Sequence, residues 1–148
     1  MKKLLTVTLF SCLAATAQAN TMFESAEDAI EYRQASFQLI RFQIGNMGDM
    51  LKGKVPFDAE VFKQRAHNAA QLSQMPWEAF IDGSDKGNTD ALPAVWSNRA
   101  EFDGKAKQFA EYAQALAVAA DSGDKKLIAS AFKDWAKGCK DCHKSFKD

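Results

Sequence analysis

The chain has 148 residues, with 19 basic and 19 acidic side chains and therefore no formal net charge at pH 7. This balance speaks against a nucleic-acid partner, which would call for positive charge clustered on one face. The length fits one globular domain.

The first 19 residues are typical of a secretory signal peptide. Lys2 and Lys3 give a positive start, residues 4–15 form an uncharged apolar run, and a small-x-small pattern ends at Ala19. The run is too short for a membrane-spanning helix, which needs about 20 residues. We therefore predict cleavage after Ala19, export to the periplasm, no membrane span, and a single mature domain of residues 20–148. A membrane anchor is the weaker alternative.

Cys12 allows a second interpretation of the leader. Residues 9–12 loosely resemble a lipoprotein cleavage box, which would leave a lipidated Cys12 at the new N-terminus. Phe10 is a poor residue for that box, and cleavage there would leave the signal at Ala19 without a purpose. We favour cleavage after Ala19, which leaves 17 basic and 19 acidic side chains and a net charge of about −2.

The first helical segment of the mature chain is predicted at about residues 26–52. Ser25 is a plausible N-cap, and Gly53 and Pro56 end the segment. Its stripe repeats at spacings of three and four, as in bundle helices. The stripe consists of Ile30, Arg33, Phe37, Ile40, Ile44, Met47 and Leu51.

Three further helices are predicted after it, and no segment is a convincing strand. The second covers about residues 58–74 and is followed by a loop of roughly 15 residues, a length that is often functional. The third opens near Pro93 and the fourth covers about residues 124–146. Four amphipathic helices with mostly short connections predict an all-α fold, an antiparallel four-helix bundle.

A Cys-x-x-Cys-His motif lies in the fourth segment, at Cys139, Cys142 and His143. This is the attachment signature of a c-type haem. Two cysteines three residues apart lie on one helix face, so each can form a thioether to one vinyl group of the same porphyrin. His143 follows directly and is the predicted proximal iron ligand. The motif therefore predicts one covalent haem c per chain.

Other interpretations of the motif are weaker. A thioredoxin-like site would need a βαβ setting, which is absent. A zinc site would need a fourth ligand, and His67 is the only other histidine. A disulfide between Cys139 and Cys142 would leave His143 unexplained.

The sixth iron ligand decides between two functions. An electron carrier often binds a methionine there, whereas a gas-binding haem leaves the position open behind apolar side chains. Met47 lies on the inner stripe of the first segment, and we interpret it mainly as core filler. His67 lies among polar residues and is expected to be solvated.

Three further motifs accompany the attachment signature. They are Tyr32-Arg33-Gln34, Pro76-Trp77-x-x-Phe80 and Pro93-x-x-Trp96. Together with the C-terminal position of the haem motif, they resemble the cytochrome c′ family over nearly the whole mature chain. The resemblance implies a four-helix bundle, usually a homodimer, with a five-coordinate high-spin haem. It also implies binding of nitric oxide and carbon monoxide, with discrimination against oxygen.

The resemblance places several residues at the haem. Arg33 and Gln34 would lie at the haem edge near a propionate, Asp90 would contact the haem, and Phe37 would be the distal apolar residue. Arg33 is the one charge in its stripe, and a buried cation needs an anion, which a propionate would supply. The alternative is an arginine that reaches solvent.

Two aromatic residues and two departures from the family complete the expected site. Trp77 and Phe80 are expected to form haem walls, or only core. Lys147 stands where the family often has arginine, so the positive charge is kept but the planar guanidinium group is lost. Fraying of the helix is expected at Lys147, which lies so near the chain end. Phe37 replaces a frequent leucine, and its bulk is expected to slow ligand entry.

The sequence leaves two roles open, sequestration of nitric oxide and transfer of electrons to an unknown redox partner. The alternative function is a low-spin electron carrier of the same bundle fold, with Met47 or another methionine on the iron. An enzyme such as a peroxidase is not expected, since no distal histidine is available to act on peroxide.

Overall fold

Four long helices form the bundle in the computed structural model, which describes residues 22–148. The predicted signal peptide and Cys12 lie outside the described residues. The helices are α1 (Ala26–Leu51), α2 (Ala59–Leu72), the short α3 (Ala94–Ser97), α4 (Arg99–Ser122) and α5 (Lys125–Phe146), with a 3₁₀ turn at Pro76–Ala79. No strand occurs among residues 22–148, and the predicted all-α bundle is confirmed.

Side-chain caps fix where three of the long helices begin. Ser25 Oγ accepts a hydrogen bond of 3.0 Å from the Asp28 amide, as predicted. Asp58 caps α2 in the same way, and Asp124 caps α5 through a bond of 2.7 Å from the Lys126 amide. Each cap accepts hydrogen bonds from amide groups that have no partner within the first helical turn. Such a cap stabilises the folded protein by about 1 kcal/mol. Gly123, with φ 68°, ends α4 in the left-handed conformation that glycine favours.

The third predicted segment is two helices, which corrects the expectation of one continuous helix from Pro93. The break falls at Asn98, whose backbone has φ −121° and ψ 49°. Asn98 Nδ2 donates a hydrogen bond of 2.6 Å to Glu101 Oε2 in the first turn of α4. This bond joins two side chains and caps no backbone amide of α4, so the break rests on the non-helical backbone of Asn98, a residue type that favours helix starts over helix interiors.

The core lies between α4 and its neighbours α2 and α5, with α1 packed on α2. Its largest fully buried side chains include Trp135, Phe62, Met47 and Leu116. Six small alanine side chains bring α2 and α4 close together. They are Ala66, Ala69, Ala70, Ala113, Ala117 and Ala120. None of the helices in the described part of the chain is long and apolar enough to cross a membrane.

Candidate functional site

The last turns of α5 carry Cys139, Cys142 and His143. Just before them, Gly138 lets α5 lie directly against α4, since a Cβ there would come within 3.2 Å of Phe109 Cδ2. Both thiols are free and half-buried. They are not joined in a disulfide, although the two residues are one helical turn apart.

Both cysteines face the apolar interior. Cys139 packs against the main core cluster, which includes Trp135. Cys142 packs against a second cluster formed by Phe80, Val95, Phe102 and Phe146. Two thiols on one side of one helix, each against apolar groups, match the geometry that a porphyrin edge with two vinyl groups requires.

Burial sets the protonation state of the three groups. It raises the pKa of the Cys139 thiol to about 11 and also raises the pKa of Cys142. Desolvation, followed by the charge of Lys147, lowers the pKa of His143. The His143 imidazole has no hydrogen-bond partner among residues 22–148. Its lowered pKa favours the neutral form, and an imidazole beside two thiols fits covalent haem attachment with histidine on the iron.

An aromatic wall lines the interior beside the cysteines. Its centre is Trp77, whose ring lies 5.6 Å from Phe37, 5.9 Å from Phe102 and 6.0 Å from Phe109. Phe80 stacks on Trp77 at 6.4 Å. Phe37 and Trp77 belong to both clusters against which the cysteines pack. The structure thus brings Phe37, Trp77 and Phe80 together on the side of the cysteines.

The indole N–H groups of Trp77 and Trp96 are bonded to the backbone. Trp77 Nε1 donates a hydrogen bond of 2.7 Å to the Ser73 carbonyl oxygen. Trp96 Nε1 donates in the same manner to the Ile81 carbonyl oxygen, at 3.1 Å. Because the Trp77 N–H group is already bonded to the backbone, the rings of Phe37 and Trp77 offer no hydrogen-bond donor to a molecule that contacts them.

Arg33 is buried at 2% exposure, which excludes the alternative in which it reaches solvent. Its two terminal nitrogens donate four hydrogen bonds, to the Ala79 carbonyl, to the Ser84 hydroxyl and carbonyl, and to the Thr89 hydroxyl. The guanidinium also lies 4.5 Å from the centre of the Phe80 ring. Desolvation lowers its pKa. In residues 22–148, no carboxylate lies within ion-pair distance of Arg33.

Gln34, the neighbour of Arg33, bonds the same loop. Its Nε2 donates a hydrogen bond of 2.8 Å to the Asn88 carbonyl oxygen. The fifth N–H group of Arg33, on Nε, has no acceptor among the described residues. The guanidinium therefore retains one donor that no acceptor within residues 22–148 uses.

Asp90 and Lys147 form an ion pair, with Lys147 Nζ 2.9 Å from Asp90 Oδ2. The backbone holds the same two segments together, since Lys147 pairs with Ala91 in an antiparallel bridge. The Leu92 amide also donates to the Phe146 carbonyl oxygen at 3.0 Å. The expected fraying at Lys147 is therefore wrong, because the loop before α3 holds the chain end.

Ser84 and Thr89 are the residues that the sequence analysis missed. Ser84 is fully buried, and its hydroxyl also donates a hydrogen bond of 2.8 Å to the Ile81 carbonyl oxygen. A single serine in a long polar loop carries no sequence signal for burial. Only the approach of Arg33 from α1 makes it part of the site.

Met47 lies far from the site along the bundle. It is 0% exposed in the main core, and a Cβ on the adjacent Gly48 would lie 3.3 Å from Phe132. Phe132 precedes His143 by three turns, or about 16 Å along α5. His67 is exposed and lies 3.0 Å from Asp121 on the surface. Among residues 22–148, no cluster of three or more His, Cys, Asp or Glu could hold a metal.

The chain matches known proteins over nearly its whole described length. The family model described as "Cytochrome C'" matches residues 28–147. A cytochrome c' of Rubrivivax gelatinosus is 42% identical over 127 residues, which cover 85% of this chain and 98% of that protein. The solved structure of cytochrome c prime from Shewanella frigidimarina superposes with a TM-score of 0.84 at 55% identity, covering 85% of this chain and 98% of that one.

Two ligand complexes are among the similar structures. Both are of mutants of cytochrome c prime from Alcaligenes xylosoxidans, one with nitric oxide bound and one with carbon monoxide bound. Each superposes on this chain with a TM-score of 0.80 at 36% identity, and each match covers 85% of this chain and 98% of the other.

Proposed function

Because this chain belongs to the cytochrome c′ family, whose members carry covalently bound haem c, we propose that it is a periplasmic haem protein that binds nitric oxide and carbon monoxide. Cys139 and Cys142 form the thioethers, and His143 is the proximal iron ligand. The haem, when bound, supplies an iron that takes up diatomic gases and exchanges one electron. We propose a five-coordinate iron in the resting protein, and a homodimer as is usual in the family.

The observation that carries the proposal is the apolar aromatic wall facing the two cysteines. Phe37, Trp77 and Phe80 offer no hydrogen bond towards the interior, since the Trp77 N–H group is bonded to Ser73. Bound oxygen is stabilised by polar donors, whereas nitric oxide and carbon monoxide bind iron without them. The nitric oxide and carbon monoxide complexes of the Alcaligenes xylosoxidans relative support the same ligand choice.

Four polar residues are proposed to border the haem edge. Arg33 has its Nε donor free for a propionate, and Gln34 lies next to it on α1. Asp90 lies in the loop that Arg33 and Gln34 bond, and it forms an ion pair with Lys147 at the end of α5. The buried Arg33 charge, which has no carboxylate partner within residues 22–148, would gain an anion from a propionate.

The alternative function, a low-spin electron carrier with methionine on the iron, has less support. Met47 is the methionine on the inner stripe, and it packs at the level of Phe132, about 16 Å along α5 from His143. Met22 and Met75 are exposed. A place on the iron for Met47 would therefore need a rearrangement of the bundle.

The visible absorption spectrum of the reduced protein tests the proposal. A five-coordinate iron is expected to give one broad visible band that changes when carbon monoxide is added. Split, sharp bands that carbon monoxide leaves unchanged would indicate a bound methionine and contradict the proposal. A variant with Cys139→Ser and Cys142→Ser provides the control, because its haem is expected to be removed by acidic organic solvent, whereas the wild-type haem stays attached.

A further inference from the structure

Ser84 is a fully buried polar residue to which the proposed function assigns no role. Its exposed fraction is 0%, although Asp82 and Gly83 just before it are exposed. Gly83 has a φ of 82°, a conformation that other residues rarely adopt, and this turn directs the chain inwards at Ser84. A buried hydroxyl costs free energy unless it is hydrogen-bonded, so the partners of Ser84 indicate its role.

The hydroxyl of Ser84 serves Arg33 as an acceptor. Its proton is donated to the Ile81 carbonyl oxygen at 2.8 Å, since the Ala79 carbonyl oxygen at 3.4 Å is the more distant acceptor. The lone pairs of the hydroxyl oxygen are left for other donors, and Arg33 Nη1 donates to this oxygen at 2.7 Å. The direction of the hydroxyl is therefore set by the backbone and suits a guanidinium donor.

Ser84 binds the end of the Arg33 guanidinium. Nη1 donates to the Ser84 hydroxyl and Nη2 donates to the Ser84 carbonyl oxygen, both at 2.7 Å. Because one residue accepts from both terminal nitrogens, it lies between them at the end of the planar group. The outer N–H of Nη1 is then the donor to the Ala79 carbonyl oxygen at 3.1 Å, and the outer N–H of Nη2 is the donor to the Thr89 hydroxyl at 2.8 Å. All four terminal N–H groups are thus used within residues 79–89, and Nε–H is the donor that remains.

The Nε edge of Arg33 is open to a ligand. The fully buried polar atoms without a partner in residues 22–148 include Nε of Arg65 but not Nε of Arg33. Because Arg33 Nε likewise has no acceptor there, it is not fully buried, although the residue is only 2% exposed. The guanidinium lies 4.5 Å from the centre of the Phe80 ring, and Phe80 belongs to the cluster against which Cys142 packs. The open donor therefore belongs to a group that borders the same apolar interior as Cys142.

We propose that Ser84 is a positioning residue, which holds the Arg33 guanidinium so that its Nε–H donates to a haem propionate. The inference rests on the proposed function, because it requires a haem attached at Cys139 and Cys142. Ser84 contacts neither the haem nor the iron in this arrangement and acts only through Arg33. A guanidinium carries its five N–H donors in one rigid plane, so fixing the four terminal donors also fixes the direction of the fifth.

The place of the Arg33 charge affects the balance between ferrous and ferric haem. Ferric haem carries one more positive charge than ferrous haem, so a nearby guanidinium favours the ferrous state. The guanidinium also neutralises the propionate, whose negative charge would otherwise favour the ferric state. Arg33 is 2% exposed, so water and salt screen its charge little. A guanidinium that leaves its position is therefore expected to shift the equilibrium towards ferric haem.

A purely structural role for Ser84, as a tether of its loop, is the alternative. Other contacts fasten the same loop to α1. Gln34 Nε2 donates to the Asn88 carbonyl oxygen at 2.8 Å, and a Cβ on Gly87 would lie 3.7 Å from Ile30 Cδ1. Because these contacts would keep the loop in place, loss of a mere tether would change stability and leave the redox equilibrium of the haem unchanged.

Redox titration of the holoprotein at neutral pH, against a mediator of known potential, separates the two roles. Ser84→Ala removes the hydroxyl and keeps the carbonyl, and we expect it to shift the equilibrium towards ferric haem about threefold. Arg33→Met is expected to shift the equilibrium about tenfold in the same direction. Ser36→Ala is the matched control, because Ser36 is also buried, at 4% exposure, and its hydroxyl bonds the Tyr32 carbonyl oxygen within α1. No shift in Ser84→Ala, or an equal shift in Ser36→Ala, would overturn the proposal.

The double variant shows whether Ser84 acts through Arg33. In the Arg33→Met background, Ser84→Ala is expected to cause no further shift of the redox equilibrium, because the group that Ser84 holds is gone. Shifts that simply add in the double variant would contradict the proposal, since they would show an effect of Ser84 that does not pass through the guanidinium.

Proton exchange gives a readout that does not depend on the redox equilibrium. In the diamagnetic carbon monoxide complex, the Arg33 Nε–H is expected to exchange slowly with solvent in the wild type and in Ser36→Ala. In Ser84→Ala we expect this exchange to be at least about tenfold faster. Equal exchange in Ser84→Ala and the wild type would overturn the proposal.

The same measurements keep this inference separate from the proposed function. A protein with one broad visible band that responds to carbon monoxide, but with no shift in Ser84→Ala, fails this inference while the proposed function stands. Split bands that carbon monoxide leaves unchanged, together with the expected shifts in Ser84→Ala and Arg33→Met, would contradict the proposed function and support the positioning role.

Discussion

Arg33 and Ser84 are joined by two hydrogen bonds of 2.7 Å, from Nη1 to the serine hydroxyl and from Nη2 to the serine carbonyl oxygen. Thr89 accepts a further bond from Nη2 at 2.8 Å. These contacts fasten the loop between the 3₁₀ turn and α3 to the first helix. The charge in the apolar stripe is thus a structural link as well as a candidate haem contact.

Replacement of Arg33 by methionine keeps much of the side-chain volume and removes every donor. We expect Arg33→Met to lower the free energy of unfolding by about 2–4 kcal/mol, because the buried oxygens of Ala79, Ser84 and Thr89 lose their partner. Urea unfolding of the holoprotein measures the change. Arg41→Met is the matched control on the exposed face of the same helix, where a change within about 0.5 kcal/mol is expected. Equal losses in the two variants would contradict the structural role.

Local features of the fold could be predicted from the sequence because their causes are local. The N-cap at Ser25, the spacings of three and four in α1 and the ends of the long helices depend on residues within a few positions. The haem c cofactor followed from the spacing of Cys139, Cys142 and His143, and family membership confirms it. The roles of these residues at the haem stay predictions.

Contacts between distant segments could not be predicted in the same way. The bonds of Arg33 to Ser84 and Thr89 join positions more than 50 residues apart, and no periodic pattern marks a polar residue in a loop. The break at Asn98 was missed because the apolar spacing continues across it. The ion pair of Lys147 with Asp90 and its backbone bridge with Ala91 were not predicted, because these residues come close together only in the folded chain.

The Asp90–Lys147 ion pair is expected to contribute little to stability. Both side chains are largely exposed, and such pairs are worth roughly 0.2–1 kcal/mol. A double-mutant cycle with Asp90→Asn and Lys147→Ala measures the coupling in urea unfolding. We expect it to fall within that range at low salt and to vanish near 1 M salt. A coupling above about 2 kcal/mol that persists in salt would instead indicate a buried network.

Cleavage after Ala19 predicts the mass of the exported protein. The intact mass is expected to equal that of residues 20–148 plus one haem, because the small residues before the cut suit signal peptidase. Ala19→Tyr is expected to block processing, whereas Cys12→Ala is expected to leave it unchanged. A lipidated N-terminus at Cys12, lost in Cys12→Ala, would contradict this prediction.

Met47→Leu separates the core role of this side chain from a role on the iron. Met47 is fully buried, and leucine conserves its volume, so the loss of stability is expected to stay below about 1.5 kcal/mol. The spectra of the oxidised and reduced protein are expected to be unchanged, since Met47 packs near Phe132 and not near His143. A change from split to broad visible bands in this variant would identify Met47 as the sixth ligand.

Phe37 is expected to control the entry of gases to the distal face of the iron. Its ring contacts Trp77 at 5.6 Å and Phe80 at 6.5 Å, so a ligand has to displace a side chain held on two sides. We expect Phe37→Ala to bind carbon monoxide about tenfold faster than the wild type, which corresponds to a barrier lower by about 1.4 kcal/mol. Flash photolysis of the carbon monoxide complex measures the association rate. Leu39→Ala, an exposed position on the same helix, is the control and should leave the rate unchanged. A Phe37→Ala rate equal to that of the wild type would show that the phenylalanine only fills the core, because removing an obstacle must lower the barrier to entry.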